Sequence, residues 1–291
     1  MWTSPPRRRA GAAALVLAAV LAGCSTTPDA PTGRRSSSVP SSRLHASVNQ
    51  FRHEEGTRQL KAGVTNDGRT GIRVTRATIA WAGFAFPTVR LPDDPVLPGQ
   101  TAAFAIDYGR ARCGRAPAGG PTLVAVVDGR TRRLPLHVDD PGLLERLRVK
   151  ACAATRLARV ASVHLRLARR TVRSGGAEQL PASVVVRRRA GSVATVRIVD
   201  LEGSVLINLV PRDGARALPA VLRPPDSVLS FPVRFSSTQR CNGHAQSQSQ
   251  QTFLLSAYLR LGARPPQRVL LPLTNAERDR LIGLVERGCG D

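Results

Sequence analysis

Three short stretches carry side chains of the kind that move protons or hold metals. His53-Glu54-Glu55 sets an imidazole beside two carboxylates, and His137-Val138-Asp139-Asp140 does so again with a set able to ligate a metal. Asp93-Asp94 offers two adjacent oxygen donors inside the proline-bounded turn LPDDPVLPG, but calcium needs six or more. None of these sets is completed by its surroundings. The five histidines (His45, His53, His137, His164, His244) are scattered. No G-x-S-x-G elbow, H-E-x-x-H pair, phosphate-binding glycine loop or Rossmann fingerprint occurs. The sequence therefore assigns no catalytic residue, no metal site and no cofactor, and the chain reads as a non-enzyme.

The elements that would position these residues recur. LPLHVDDPGLLERLRVKAC (Leu134 to Cys152) and LPLTNAERDRLIGLVERGC (Leu271 to Cys289) share L-P-L and then a leucine, a leucine and a cysteine at the same spacing. Residues 59–83 align without gaps to 179–203, with Gln59/Gln179, Leu60/Leu180, Ala62/Ala182, Val64/Val184, Gly71/Gly191, Thr75/Thr195 and Gly83/Gly203 identical. Phe104-x-Ile106-x-Tyr108 then answers Phe231-x-Val233-x-Phe235, and Cys113 answers Cys241. Marks in the same order in both halves indicate a duplicated domain. The duplication also tests the candidate sites. His53-Glu54-Glu55 faces Arg173-Ser174-Gly175, which can do none of that chemistry. His137 to Asp140 faces Thr274 to Glu277, and both fit helix capping.

Each half reads as strand. IRVTRATIAW, TAAFAIDY and TLVAVV in the first, and VHLRL, ATVRIVDL and FLLSAYL in the second, alternate apolar and polar residues. Asn66-Asp67-Gly68 and Asp128-Gly129 carry residues suited to tight hairpins. About seven strands in ~110 residues predict an antiparallel sandwich, broadly immunoglobulin-like. Pro135 and Pro272 lack a backbone donor and predict edge or terminal strands. A short helix follows each, capped by Asp140 with Pro141 in one half and by the Thr274–Glu277 capping box in the other, ending at the cysteine. Leu144 and Leu147, like Leu281 and Leu284, then face the sheet.

The N-terminus is an address. Arg7-Arg8-Arg9 precedes an apolar run from Ala10 to Ala22, too short to span a bilayer as a helix and suited to a signal peptide. It closes on Leu21-Ala22-Gly23-Cys24, which resembles the lipobox of bacterial lipoproteins. The resemblance implies cleavage after Gly23, a diacylated (palmitate-type) Cys24 thiol, and a chain anchored in the cell membrane on its extracytoplasmic face. Residues 24–42, rich in Ser, Thr, Pro and Gly, predict the lipid-anchored flexible tether.

The expected organisation is thus signal peptide 1–23, anchor and tether 24–42, β-sandwich domain 43–153 and β-sandwich domain 154–291. The fold class is mainly β: two tandem antiparallel immunoglobulin-like sandwiches, each ending in a short disulfide-latched helix. With Cys24 lipidated, four cysteines remain in an oxidising compartment. Of three possible pairings, the duplication favours Cys113–Cys152 and Cys241–Cys289.

The formal net charge is +23, carried almost wholly by arginine, since Lys61 and Lys150 are the two lysines. Such arginine with abundant alanine is also what a GC-rich genome writes. Residues 155–291 hold 21 basic against 9 acidic residues, a net +12; residues 40–150 hold 17 against 10, a net +7. Arg166, Arg169 and Arg170 on and after the first strand of the second half, and Arg187-Arg188-Arg189 at an expected hairpin tip, are candidates for anionic polymers or lipid headgroups. Aromatics are sparse at 4%, so the stacking platforms of nucleic-acid binding are missing. The halves diverge most in two places, where FAFPTVRLPDDPVLPG faces VLINLVPRDGARALPAVLRPPD and where GRAPAGGPT faces NGHAQSQSQQT; the first makes Phe84, Phe86, Pro87 and Arg90 candidate contacts to an envelope protein.

Overall fold

The computed structural model describes residues 43–115, 117–215, 217–241 and 252–290. The expected signal peptide, Cys24 and the tether lie outside the described residues. The chain is mainly β, in three sheets around two hydrophobic cores.

The first core is enclosed by β1 (Leu44–Asn49), β2 (Gln59–Asn66), β3 (Ile72–Ala80), the short β4 (Val89–Arg90) and β5 (Pro95–Val96), β6 (Thr101–Asp107), β7 (Thr122–Val127) and β8 (Arg130–Val138). The order is β4-β3-β7-β8-β1-β2-β6, with β5 also on β3. All pairs are antiparallel except β1 with β8, which run parallel. The alternating pattern sends Phe104 and Ile106 of β6, and Leu123, Ala125 and Val127 of β7, into the core while their neighbours stay more exposed.

The second core lies between two sheets. One holds β9 (Ala161–Leu167), β10 (Val172–Ser174), β11 (Ala177–Arg188), β15 (Val228–Ser237) and β13 (Ile207–Pro211). The other runs β14 (Ala220–Leu222), β12 (Val196–Glu202), β16 (Ser256–Leu261), β17 (Gln267–Leu270). Phe231, Val233 and Phe235 of β15 pack there against Val196, Ile198 and Leu259.

Helix α1 (Leu143–Val160) joins the two. Leu143, Leu144 and Leu147 enter the first core and Leu157 enters the second. Its 18 residues span about 27 Å. The expected helix end at Cys152 is therefore corrected: α1 continues for eight residues and passes at Ala161 directly into β9. The expected boundary between residues 153 and 154 falls within it. Its start differs as well. Gly142 occupies the N-cap with φ +83°, and Asp140 gives no side-chain cap but pairs with Arg146. Helix α2 (Asn275–Gly290) starts as expected. The Thr274 N–H donates to Glu277 at 2.8 Å and the Glu277 N–H to Thr274 Oγ1 at 3.3 Å. Leu281, Leu284 and Val285 then pack on the second core.

Two turn expectations separate. Asp128 (φ +48°) and Gly129 (φ +72°) form the two-residue hairpin between β7 and β8. Asn66-Asp67-Gly68 is not a hairpin, because β2 and β3 do not pair. The buried Asn66 side chain holds this crossover instead, donating to the Thr70 and Val96 carbonyls at 2.9 Å each and accepting the Gly68 N–H. Pro135 is not on an edge strand either: β8 pairs β7 up to Pro135 and β1 from Leu136 onward. The proline stands where the pairing changes sides, a position that tolerates a missing donor.

Candidate binding surface

The cysteines pair as expected, Cys113 with Cys152 and Cys241 with Cys289. They close separations of 39 and 48 residues, worth ~2–4 kcal/mol each by restricting the unfolded chain. Each ties a helix to the loop after a strand, Cys113 following β6 and Cys241 following β15, so their role is structural.

The arginines expected to act together do not converge. Arg187 pairs across to Ser162 at the start of β9, whereas Arg169 and Arg170 follow its far end. At 3.3 Å per residue the two groups stand about 20 Å apart. Arg188 is corrected from a candidate contact to a structural residue, and 187–189 from a hairpin tip to a crossover. Its guanidinium donates to the carbonyls of Asp226, Ser192, Ala194 and Leu222. Arg166, Arg187 and Arg189 are exposed. Arg169 and Arg170 open onto a shallow depression of 620 Å³ beside α2, shared with Asp279, Arg280 and Arg287. Arg280 is committed to the Ala168 carbonyl and Arg287 to Glu178 at 2.7 Å. That last bond holds the Glu178 carboxyl below the usual range and raises the Arg287 guanidinium.

The titratable stretches of the sequence stay apart. His53 lies 3.8 Å from the buried Glu54, whose other oxygen accepts the Phe51 N–H at 2.9 Å and so serves a turn. His137 lies 3.7 Å from Asp139, both exposed, and Asp93 pairs with Arg73 at 3.5 Å. Among the described residues no three His, Cys, Asp or Glu side chains are placed to hold a metal. A cluster that sequence reasoning missed is Glu202, which accepts from the Tyr258 hydroxyl at 3.1 Å and from Arg268 Nε at 2.7 Å. Burial and the neighbouring Glu202 raise the Tyr258 phenol. No spacing in the sequence links these three, because they meet only across β12, β16 and β17.

The divergent segment after β3 builds the most distinctive surface. Phe84 is 2% exposed and packs between Trp81, Phe86 and Tyr108, with ring centroids 4.9–5.9 Å apart. It is corrected from contact residue to anchor. Phe86 is half-buried, while Pro87 and Arg90 are exposed. Residues 83–85 run alongside 109–112, bonded from Ala85 N to Arg110 O, Gly109 N to Ala85 O and Arg112 N to Gly83 O. Gly109 is required there, since a Cβ would lie 2.0 Å from the Ala85 oxygen. The chain then turns back to pair with β3 as β4 and β5.

The consequence is an open edge. In the second half, β13 lies on the outer edge of β15 from Ser237 to Val233 and sends Ile207 and Leu209 into the core. In the first half, β6 pairs among the described residues with β2 alone. The Asn66–Gln100 and Tyr108–Arg58 bonds fix its orientation: Ala102, Phe104 and Ile106 bond to β2. Thr101, Ala103, Ala105 and Asp107 direct their N–H and C=O groups outward, to no partner among the described residues. Beside Thr101 to Ala103 lies a cavity of 220 Å³ lined by Val74, Leu91, Asp94 and Val96. This is the gap that an edge strand would flank.

No family model matches the chain, and no curated protein matches it. Among solved structures it is similar to the exo-chitosanase of Amycolatopsis orientalis in complex with PNP-β-D-glucosamine, at 12% identity and a TM-score of 0.18. The match covers 79% of this chain and 26% of that one, and a likeness so slight carries no argument.

Proposed function

We propose that this chain is a lipid-anchored, extracytoplasmic module of the cell envelope that binds protein rather than catalyses. In this reading two copies of one immunoglobulin-like sandwich stand on a tether from Cys24. A partner adds an extended strand to the first of them. The observation that carries it is the outer edge of β6, with small uncharged side chains at Ala103 and Ala105 and, among the described residues, unpaired backbone groups beside an open gap of mixed lining. Natural sheets usually block such an edge with charge, proline or a covering element, and an open one serves strand addition. Arg169 and Arg170, exposed beside α2, favour a second reading as an electrostatic tether to anionic polymers or lipid headgroups.

One experiment separates the two. The protein is retained on solubilised envelope of its host and washed at low and then high salt. Strand capture predicts retention through high salt that Ala105→Pro abolishes. Release by salt with no effect of Ala105→Pro would overturn it in favour of the tether. Retention that neither salt nor Ala105→Pro disturbs would place the contact elsewhere and overturn both.

A further inference from the structure

Resting on the reading of β6 as a strand-accepting edge, we infer that its occupant is a second copy of this chain, paired antiparallel through β6 across a twofold axis. The slot is closed at one end. Residues 83–85 already occupy the position beside 109–112, which leaves Thr101–Asp107 open, the length of β6 itself. An antiparallel β6 fits with its outward residues in register. Thr101 stands opposite the other copy's Asp107, and Ala103 opposite its Ala105. Each outward N–H and C=O of both copies then finds a partner. The methyl side chains at the centre permit close approach, and the hydroxyl and carboxylate at the ends suit each other.

The charges flanking β6 point the same way. Asp94 lines the cavity at the Thr101 end, exposed and in no ion pair among the described residues. Arg110 follows the Asp107 end, likewise exposed and in no ion pair among the described residues, with Arg58 nearby over the Tyr108 ring. Antiparallel pairing brings the acidic end of one copy to the basic end of the other, twice. A parallel arrangement would oppose like charges at both ends. The two four-stranded runs from β8 to β6 become one continuous sheet, with Phe104 and Ile106 of each copy still facing their own core. One strand pair buries less than the ~1,200–2,000 Å² of a stable interface, so the dimer is weak and concentration-dependent.

The test is sedimentation velocity over a wide concentration range on the full chain carrying Cys24→Ser, with amide hydrogen exchange of β6 on the same samples. The wild-type sequence is expected to form a dimer in which the amides of Thr101, Ala103, Ala105 and Asp107 gain protection. Ala103→Pro and Ala105→Pro remove donors that β2 does not use and leave a monomer. Asp94→Arg and Arg110→Asp each weaken association about tenfold, and the double reversal restores it. Folding of each variant is read from protection of β2 and β7. A dimer indifferent to all four changes overturns the proposal. A monomer at every concentration with freely exchanging edge amides overturns it too, but leaves the strand-accepting reading intact. A monomer with those amides already protected overturns both.

Discussion

Arg148 grips Glu145 through Nε at 2.7 Å and Nη2 at 2.6 Å, while its Nη1 reaches the Arg112 carbonyl at 3.2 Å. The pair thus ties the first turns of α1 to the residue before Cys113. Its members are unequal, since the Arg148 side chain is 8% exposed and that of Glu145 41%. Removing the arginine lets Glu145 return to water; removing the glutamate strands a buried cation. Glu145→Ala is expected to cost ~1.5–3 kcal/mol and Arg148→Met distinctly less. Urea denaturation of both variants checks the order.

Acid should loosen both helix anchors. Hydrogen bonding to Arg148 lowers the Glu145 carboxyl, and bonding to Arg287 and then Thr171 lowers that of Glu178. A carboxyl lowered on folding stabilises the native state above its unfolded value, about 4.3 for glutamate. That contribution fades as pH falls through the lower folded value. Melting temperature plotted against pH should fall less steeply below ~4.5 in Glu145→Gln/Glu178→Gln than in the wild type. Parallel curves would show that the two pairs carry no such linkage.

Arg188 should behave unlike its neighbours. Arg188→Ala leaves the Asp226, Ser192, Ala194 and Leu222 carbonyls without their shared donor and is expected to cost ~1–3 kcal/mol. Arg188→Lys should not rescue it, because an ammonium cannot present the planar fork. Arg187→Ala and Arg189→Ala, at exposed positions, should stay within ~0.5 kcal/mol of the wild type.

Within the divergent segment the aromatic residue supports stability and the polar tip does not. Phe84→Ala should cost ~3–5 kcal/mol by emptying the space among Trp81, Phe86 and Tyr108. Pro87→Ala and Arg90→Ala should leave thermal unfolding nearly unchanged. Equal losses at all three would mean that the exposed residues also pack.

What the sequence could convey depended on whether the cause was local. Asp128-Gly129 was legible because positive φ at two successive residues is a property of those residues alone. Asn66-Asp67-Gly68 gives the same local signal, yet its conformation is set by the distant Val96 carbonyl. The capping box at Thr274 and Glu277 is likewise local, whereas at Asp140 the φ of Gly142 moved the helix start. The disulfides followed from comparing the halves. That comparison also marked residues 84–99 as divergent. It did not reveal that their divergence empties the edge of β6, since this depends on which neighbour the segment pairs with. Arg188 resembled a solvated charge because the four carbonyls around it come from remote positions.

The parallel pairing of β1 with β8 has a mechanical meaning. Ala46, Ser47 and Val48 face Leu136, His137 and Val138 in one direction, and β8 leads on toward α1. Tension entering before Leu44 and leaving through α1 pulls these two strands past each other lengthwise. Their bonds are then loaded together rather than opened one at a time, and the Cys113–Cys152 bond sets how far α1 can be drawn from the first core. A pull applied at the N-terminal side would thus meet a joint loaded in shear before any strand is peeled away.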